Sequence, residues 1–254
     1  MKRNLWTENA SVLAKAYTRA ASNVRFEVVT RALLTHMNPK PQRVVDIGGG
    51  FGQQAIMLAR AGHSVVIVDI DPKMLAIAKY KFSYESEAVR ARIDLVQGDG
   101  EDVINLVDTD FDLVCCHSVL MYQENPAPML LNLIKLVRQG GLISVLSINT
   151  EAIAMRCGLQ RRWQETIMSL EAGTQIDSKY LPSYDHSRED VTKILAASGA
   201  MVKDWYGVGI FTDHITDQIE VADCTDVYLA EWLAGKQDPY RQVARCFHLL
   251  AERT

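Results

Sequence analysis

Residues 46–52 read Asp46-Ile47-Gly48-Gly49-Gly50-Phe51-Gly52 directly after the run Arg43-Val44-Val45. An acidic residue followed by glycines at alternate positions is the pattern of a strand turning into a ligand loop. Glycine takes positive φ and lets a ligand approach the main chain, and the helix that follows offers unpaired N–H groups at its start. The spacing narrows the choice of ligand. A dinucleotide loop wants G-x-G-x-x-G, and counting from Gly48 that demands glycine at position 53, where this chain has Gln53. A nicotinamide-dependent oxidoreductase is therefore disfavoured.

The segments downstream repeat one rhythm. Ser64-Val65-Val66-Ile67-Val68 ends in Asp69, Ile93-Asp94-Leu95-Val96-Gln97 leads into Gly98-Asp99-Gly100-Glu101, and Phe111-Asp112-Leu113-Val114-Cys115-Cys116 ends at His117. Helical periodicity separates these runs over about Gly52 to Ala61, Pro72 to Tyr84, Ala127 to Val137 and Ser187 to Ser198. Strand and helix in alternation mean an α/β fold, a doubly wound parallel sheet covered by helices on both faces. A fifth strand follows Gly140-Gly141, a sixth lies near Ala200 to Tyr206 and a last near Val243 to Glu252, seven in all, the last two forming an antiparallel pair. Two amphipathic helices broken near Ala21-Ser22-Asn23 precede the sheet. One long helical stretch over about 150–173 and a helix from about Val221 to Leu233 form an insert. The expected organisation is a single domain over 1–254, with 1–40 a helical cap, 41–149 the cofactor-binding core, and 150–254 the substrate-side insert and final strands.

Ligands of such sheets bind in the crevice outside the carboxyl ends of the strands. The Gly48 to Gly52 loop, Asp69, Asp99 and His117 all fall there, and Asp69 is placed to accept hydrogen bonds from ribose hydroxyls. Hydrophobic residues make up 48% of the 254 and charged residues 23%, which suits an ordinary soluble core. No apolar run approaches the roughly 20 residues that span a bilayer, so a cytoplasmic enzyme is expected. Five cysteines without C-x-x-C spacing, two of them adjacent in a strand, read as reduced thiols rather than a disulfide or metal site. A formal net charge of −4 does not suit a non-specific nucleic-acid binder.

The D-x-G-x-G-x-G loop resembles the first motif of the class I S-adenosylmethionine-dependent methyltransferases. Gly98-Asp99-Gly100-Glu101 resembles that family's adenine motif, and Leu136-Val137-Arg138-Gln139-Gly140-Gly141 its turn into strand five, with Arg138-Gln139 standing where the family has a basic residue and proline. The resemblance implies S-adenosyl-L-methionine as cofactor. Asp46 and the loop glycines Gly48, Gly50 and Gly52 would lie against its methionine part, Asp69 would accept from its ribose and Asp99 from its adenine amine, with Ile70, Met74 and Gly100 also contacting the cofactor. His117 would border the cofactor and is the candidate catalytic residue, with His186, Asp213 and His214 weaker candidates. A carboxylate acceptor needs no general base, whereas a phenol, alcohol or amine uses one.

Asn23-Val24-Arg25-Phe26, Gly48-Gly49-Gly50, His117-Ser118-Val119-Leu120, Gly207-Val208-Gly209-Ile210-Phe211-Thr212-Asp213-His214 and Gln237-Asp238-Pro239-Tyr240 are similar to the bacterial tRNA methyltransferases that esterify 5-carboxymethoxyuridine at the wobble position. That resemblance implies that Arg25 clamps the cofactor carboxylate, a bidentate pairing, and that tRNA is the partner. Arg161, Arg162, Tyr180 and Tyr184 are then the candidate substrate contacts, together with Arg156, Lys179, Arg188 and Trp163. The chain departs from these enzymes in lacking their dense basic stretch, its Ala172 to Tyr180 segment carrying a single lysine. The alternatives are a methyltransferase of a small metabolite, and a non-catalytic S-adenosylmethionine-binding sensor or scaffold.

Overall fold

The computed structural model describes residues 20–172, 184–213 and 224–254. Seven strands form one sheet: β1 (Arg43–Ile47), β2 (Ser64–Asp69), β3 (Ile93–Gln97), β4 (Phe111–His117), β5 (Val137–Ile148), β6 (Ala200–Val208) and β7 (Cys246–Arg253). Their order is β3-β2-β1-β4-β5-β7-β6, parallel except for β7, which runs antiparallel to both β5 and β6. The order reverses between β1 and β4, which opens the crevice at their carboxyl ends.

Each central strand is buried on both faces, so its sequence is a continuous apolar run. One face packs Val44, Val65, Ile67, Leu113 and Cys115 against α1 (Ala20–His36), α2 (Gln53–Arg60), α3 (Pro72–Phe82) and Trp232 of α9 (Cys224–Ala234). The other packs Val45, Ile47, Val114 and Cys116 against α5 (Ala127–Leu136) and α8 (Arg188–Ala197). Cys115 and Cys116 are thus consecutive residues in opposite halves of the core, both with free thiols, as the sequence suggested. Between α3 and β3 lies a short helix that the periodicity had not marked, α4 (Glu87–Arg90).

Of the two helices expected before the sheet, α1 takes in Ala21-Ser22-Asn23 and buries the apolar stripe Val24, Val28, Ala32 and Leu33, while the helix and the break expected ahead of it lie outside the described residues. Two expectations require correction. The 150–173 stretch is not one helix. A single turn at Thr150–Ala152 leads into α6 (Ile153–Leu159), and α7 (Trp163–Ala172) follows after a reversal at Arg161, whose φ is 58°. At the turn into β5 the sequence leads one to expect unusual dihedrals at both Gly140 and Gly141, but only Gly140 has positive φ, at 67°. Gly141 is demanded by space instead, since an added Cβ would stand 2.6 Å from Val137 Cγ2. Across this turn the β4 partner jumps from Val137 to Leu142 while β4 itself advances from Phe111 to Leu113, which places 138–141 outside the ladder.

No helix among the described residues is long and apolar enough to cross a membrane.

Candidate functional site

The β1–α2 loop is tied to the end of β2 by a carboxylate. Asp69 Oδ2 accepts the Gly50 N–H at 2.8 Å and its Oδ1 accepts the Asp71 N–H at 2.9 Å. Asp71 in turn caps α3, accepting the Lys73 N–H at 2.8 Å ahead of Pro72 at the first helical position. Asp46 lies beneath the loop, 3% exposed; burial first and the Asp69 charge second push its carboxyl up to about 7. Burial also raises Asp69, against the two backbone N–H groups that lower it. A pair of largely desolvated carboxylates under a glycine loop favours a cationic ligand.

On the β3 side, Asp99 caps a short 3₁₀ helix at Gly100–Asn105, its Oδ1 accepting the Glu101 N–H at 3.0 Å. On the β4 side, His117 Nε2 is 2.7 Å from Ser144 Oγ, and Ser144 Oγ is 2.7 Å from His248 Nε2. Burial, then His248 and Arg25, hold the His117 imidazole well below its usual value, so it is neutral at working pH. Ser118 follows with φ 59° and accepts from Arg25 Nη1 at 3.2 Å, while the Arg25 guanidinium lies 4.5 Å from the Phe26 ring centroid.

These groups line one pocket. Arg25, Asp46, Gly48, Gly50, Asp69, Ile70, Met74, Asp99, Gly100 and His117 all border it. Gly52 does not. It sits at the start of α2 with φ 70°, and an added Cβ would stand 2.6 Å from the Phe82 ring, so its role is to let α2 pack on α3. The pocket also takes in Phe26, Asp71, Ser118, Val119, Tyr122 and Gln54, which sequence reasoning missed. The Asp71-Pro72 helix start was a readable signal for one of them.

The residues expected to meet the substrate are not gathered in this pocket. Arg156 is paired with Asp213, which Arg245 also approaches at 3.7 Å. Arg162 is paired with Glu165 and donates to Cys157 Sγ at 3.2 Å. Arg188 lies over the Trp205 ring at 4.3 Å. Arg161 and Trp163 are exposed at the α6–α7 turn. Tyr184 is half-exposed, its N–H donating to Met121 O at 2.7 Å, and His186 is buried with Nε2 2.7 Å from Gln123 O. Lys179, Tyr180 and His214 lie outside the described residues. No group of three or more metal-ligating side chains occurs among the described residues.

Residues 45–145 match the family model described as a methyltransferase domain. The chain is 28% identical over 225 residues to the tRNA 5-carboxymethoxyuridine methyltransferase of Escherichia coli O157:H7, an alignment covering 87% of this chain and 84% of that protein. It is 26% identical over 167 residues to the mitochondrial ubiquinone biosynthesis O-methyltransferase of Schizosaccharomyces pombe, covering 66% and 58%. Among solved structures, magnesium protoporphyrin IX methyltransferase from Synechocystis PCC 6803 with bound SAH superposes with a TM-score of 0.67 at 18% identity, covering 99% of this chain and 98% of that one. Residues 45–145 are thus similar to a methyltransferase domain that uses S-adenosylmethionine, and the chain as a whole has the seven-stranded α/β fold of such enzymes.

Proposed function

We propose that this enzyme converts the carboxylate of a 5-carboxymethoxyuridine in tRNA into its methyl ester. The curated relatives aligned over most of the chain support the substrate. The observation that carries the reaction class is the state of His117. General-base catalysis works best when the base titrates near the operating pH. Here the imidazole is held far below that range and its Nε2 is engaged with Ser144. Such a group is a poor acceptor for a phenol or alcohol proton, whereas a carboxylate arrives ionised and has no proton to lose. This argues for the ester over the metabolite O-methylation suggested by the ubiquinone relatives.

The pocket fits the cofactor by its donor set. The ionisable pair Asp46 and Asp69 suits an ammonium and ribose hydroxyls, Asp99 suits an exocyclic amine, and Arg25 suits a carboxylate. S-Adenosylmethionine supplies the methyl group on a sulfonium. The chain's own part is to hold the acceptor carboxylate in line and exclude water. In the same reading 1–40 is a cap over the site, 41–149 the cofactor core, and 150–254 the acceptor side.

The test is incubation of the purified enzyme and labelled cofactor with tRNA carrying 5-carboxymethoxyuridine, followed by nucleoside mass spectrometry. A methyl group on that nucleoside, released by mild alkali, is expected. Unlabelled tRNA alongside a labelled small molecule from a metabolite extract would overturn the proposal.

A further inference from the structure

Ser144 and His248 touch His117 across the sheet, at positions far apart in the chain. His117, Leu146 and His248 stand in one register row over β4, β5 and β7, and Ser144 precedes Leu146 by two residues on the same face. Ser144 and His248 are wholly buried, and the two imidazoles meet edge to face with centroids 5.6 Å apart. We infer that Ser144 and His248 are positioning residues that fix His117 as the Nδ1–H tautomer, so that it is a neutral hydrogen-bond donor to a carboxylate in the pocket.

The argument is one of proton counting. A hydroxyl has one hydrogen, and the neighbouring Cys115 sulfur is only a weak acceptor for it, so of the two Nε2 atoms 2.7 Å from Ser144 Oγ, one receives that hydrogen and the other donates its own. If His117 donated, His248 would accept at Nε2 and carry its proton on Nδ1. His248 Nδ1 is buried and has no hydrogen-bond partner among the described residues, so that arrangement entombs an orphaned N–H. Orphaned buried donors are rare in folded proteins. The reverse arrangement removes the defect: His248 donates from Nε2, its bare Nδ1 has no hydrogen to satisfy, and Ser144 donates to His117 Nε2. A neutral His117 must then carry its hydrogen on Nδ1.

Both rings stay neutral because of what surrounds them. His248 is lowered to about 3 by burial and by His36, with the Tyr206 ring at 6.1 Å. His117 is lowered by burial, His248 and Arg25, and the Cys115 thiol also bonds Ser144. An N–H donor beside Ser118 and the Arg25 guanidinium suits an anion. That carboxylate is either the one on the cofactor's methionine part or the one on the acceptor. The acceptor alternative rests on the esterification proposed above; the tautomer and the cofactor alternative do not.

The test begins with long-range proton–nitrogen correlation spectra of the histidine rings in the intact ¹⁵N-labelled protein. A protonated Nδ1 on His117 and a protonated Nε2 on His248 at pH 7.5 are expected. A protonated Nε2 on His117 would overturn the inference, and this wild-type measurement stands even if a variant fails to fold. Ser144→Ala should release the tautomer, and Ser144→Thr, which restores the hydroxyl, should recover it. Calorimetry with S-adenosylhomocysteine alone reads the first source, and the KM for tRNA reads the second. Weakening of either by about 10-fold in Ser144→Ala, with recovery in Ser144→Thr, supports the inference and assigns the carboxylate. A changed tautomer with both constants unmoved would overturn it.

Discussion

Replacing Asp69 by Asn separates two duties that the same carboxylate performs. Asp69 uses one oxygen for the Gly50 N–H at 2.8 Å and the other for the Asp71 N–H at 2.9 Å. Asparagine keeps one acceptor and turns an NH₂ toward the second N–H, so one charge-assisted bond is lost and two donors face each other. Such a bond contributes about 1.5–3 kcal/mol, and the loss should appear as that much reduced stability of the free protein. On the proposed reading the carboxylate also accepts from the ribose hydroxyls, and a second loss of about 1.5–3 kcal/mol then falls on binding. At 1.4 kcal/mol per decade this raises the Kd for S-adenosylhomocysteine by about 10- to 150-fold. Because burial raises the Asp69 pKa, calorimetry and denaturant unfolding belong on the alkaline side, at pH 8, which favours the ionised wild-type carboxylate. A variant that loses stability as expected but binds within twofold of wild type would refute the ribose role and leave Asp69 as a loop tie.

Two further outcomes follow from the same pocket. Asp46, raised from 3.8 to about 7 in the fold, stabilises the free protein most below the unfolded value, and that contribution is lost as pH rises from about 4 through 7. A cationic ligand prefers the ionised form, so S-adenosylmethionine affinity should rise through the same window and level off above it. Asp46→Asn should flatten both profiles in calorimetric and thermal scans, and an unchanged binding profile in that variant would remove Asp46 as its source. Gly48→Ala should cost about 2–5 kcal/mol in denaturant unfolding, combining a left-handed φ of 69° with overlap of the new Cβ on Val119. Gly62→Ala, at φ 102° with nothing within 4 Å, is the comparison that carries backbone strain alone; equal losses in the two would show that Val119 yields freely.

What could be read from the chain was whatever local chemistry dictates. The central strands are buried on both faces, so Ser64 to Asp69 and Phe111 to His117 appear as apolar runs with the right ends. The triplet Ala21-Ser22-Asn23 signals a break locally, yet α1 takes those three residues in, because the burial of Val24 and Val28 just beyond them is tertiary. The α6–α7 reversal was missed for a related reason: Arg161 takes φ 58° with neither glycine nor asparagine to mark it. The Ser144–His248 contact with His117 depends on strand register, which joins residues 117, 144 and 248 and leaves no trace in sequence spacing.

The glycine loop shows where a local motif is explained by packing and where packing stops. An added Cβ at Gly48 would overlap Val119, at Gly49 it would stand 2.8 Å from Ile67 Cγ2, and at Gly52 it would stand 2.6 Å from the Phe82 ring. Those three glycines are required by the protein's own neighbours and would be needed whether or not anything binds. Gly50 differs. A Cβ added there would find Asp69 Oδ2 and Gly48 O nearest, each at 4.0 Å, in a residue whose φ is 53° and whose N–H is fixed by Asp69. No described residue comes closer to that position, and Gly50 borders the same pocket as Asp46 and Asp69. The backbone conformation is set by the protein, and on the proposed reading the open space beside it takes the cofactor. On that reading Gly50 is the loop position whose side chain, if it had one, would meet the cofactor before it met the protein.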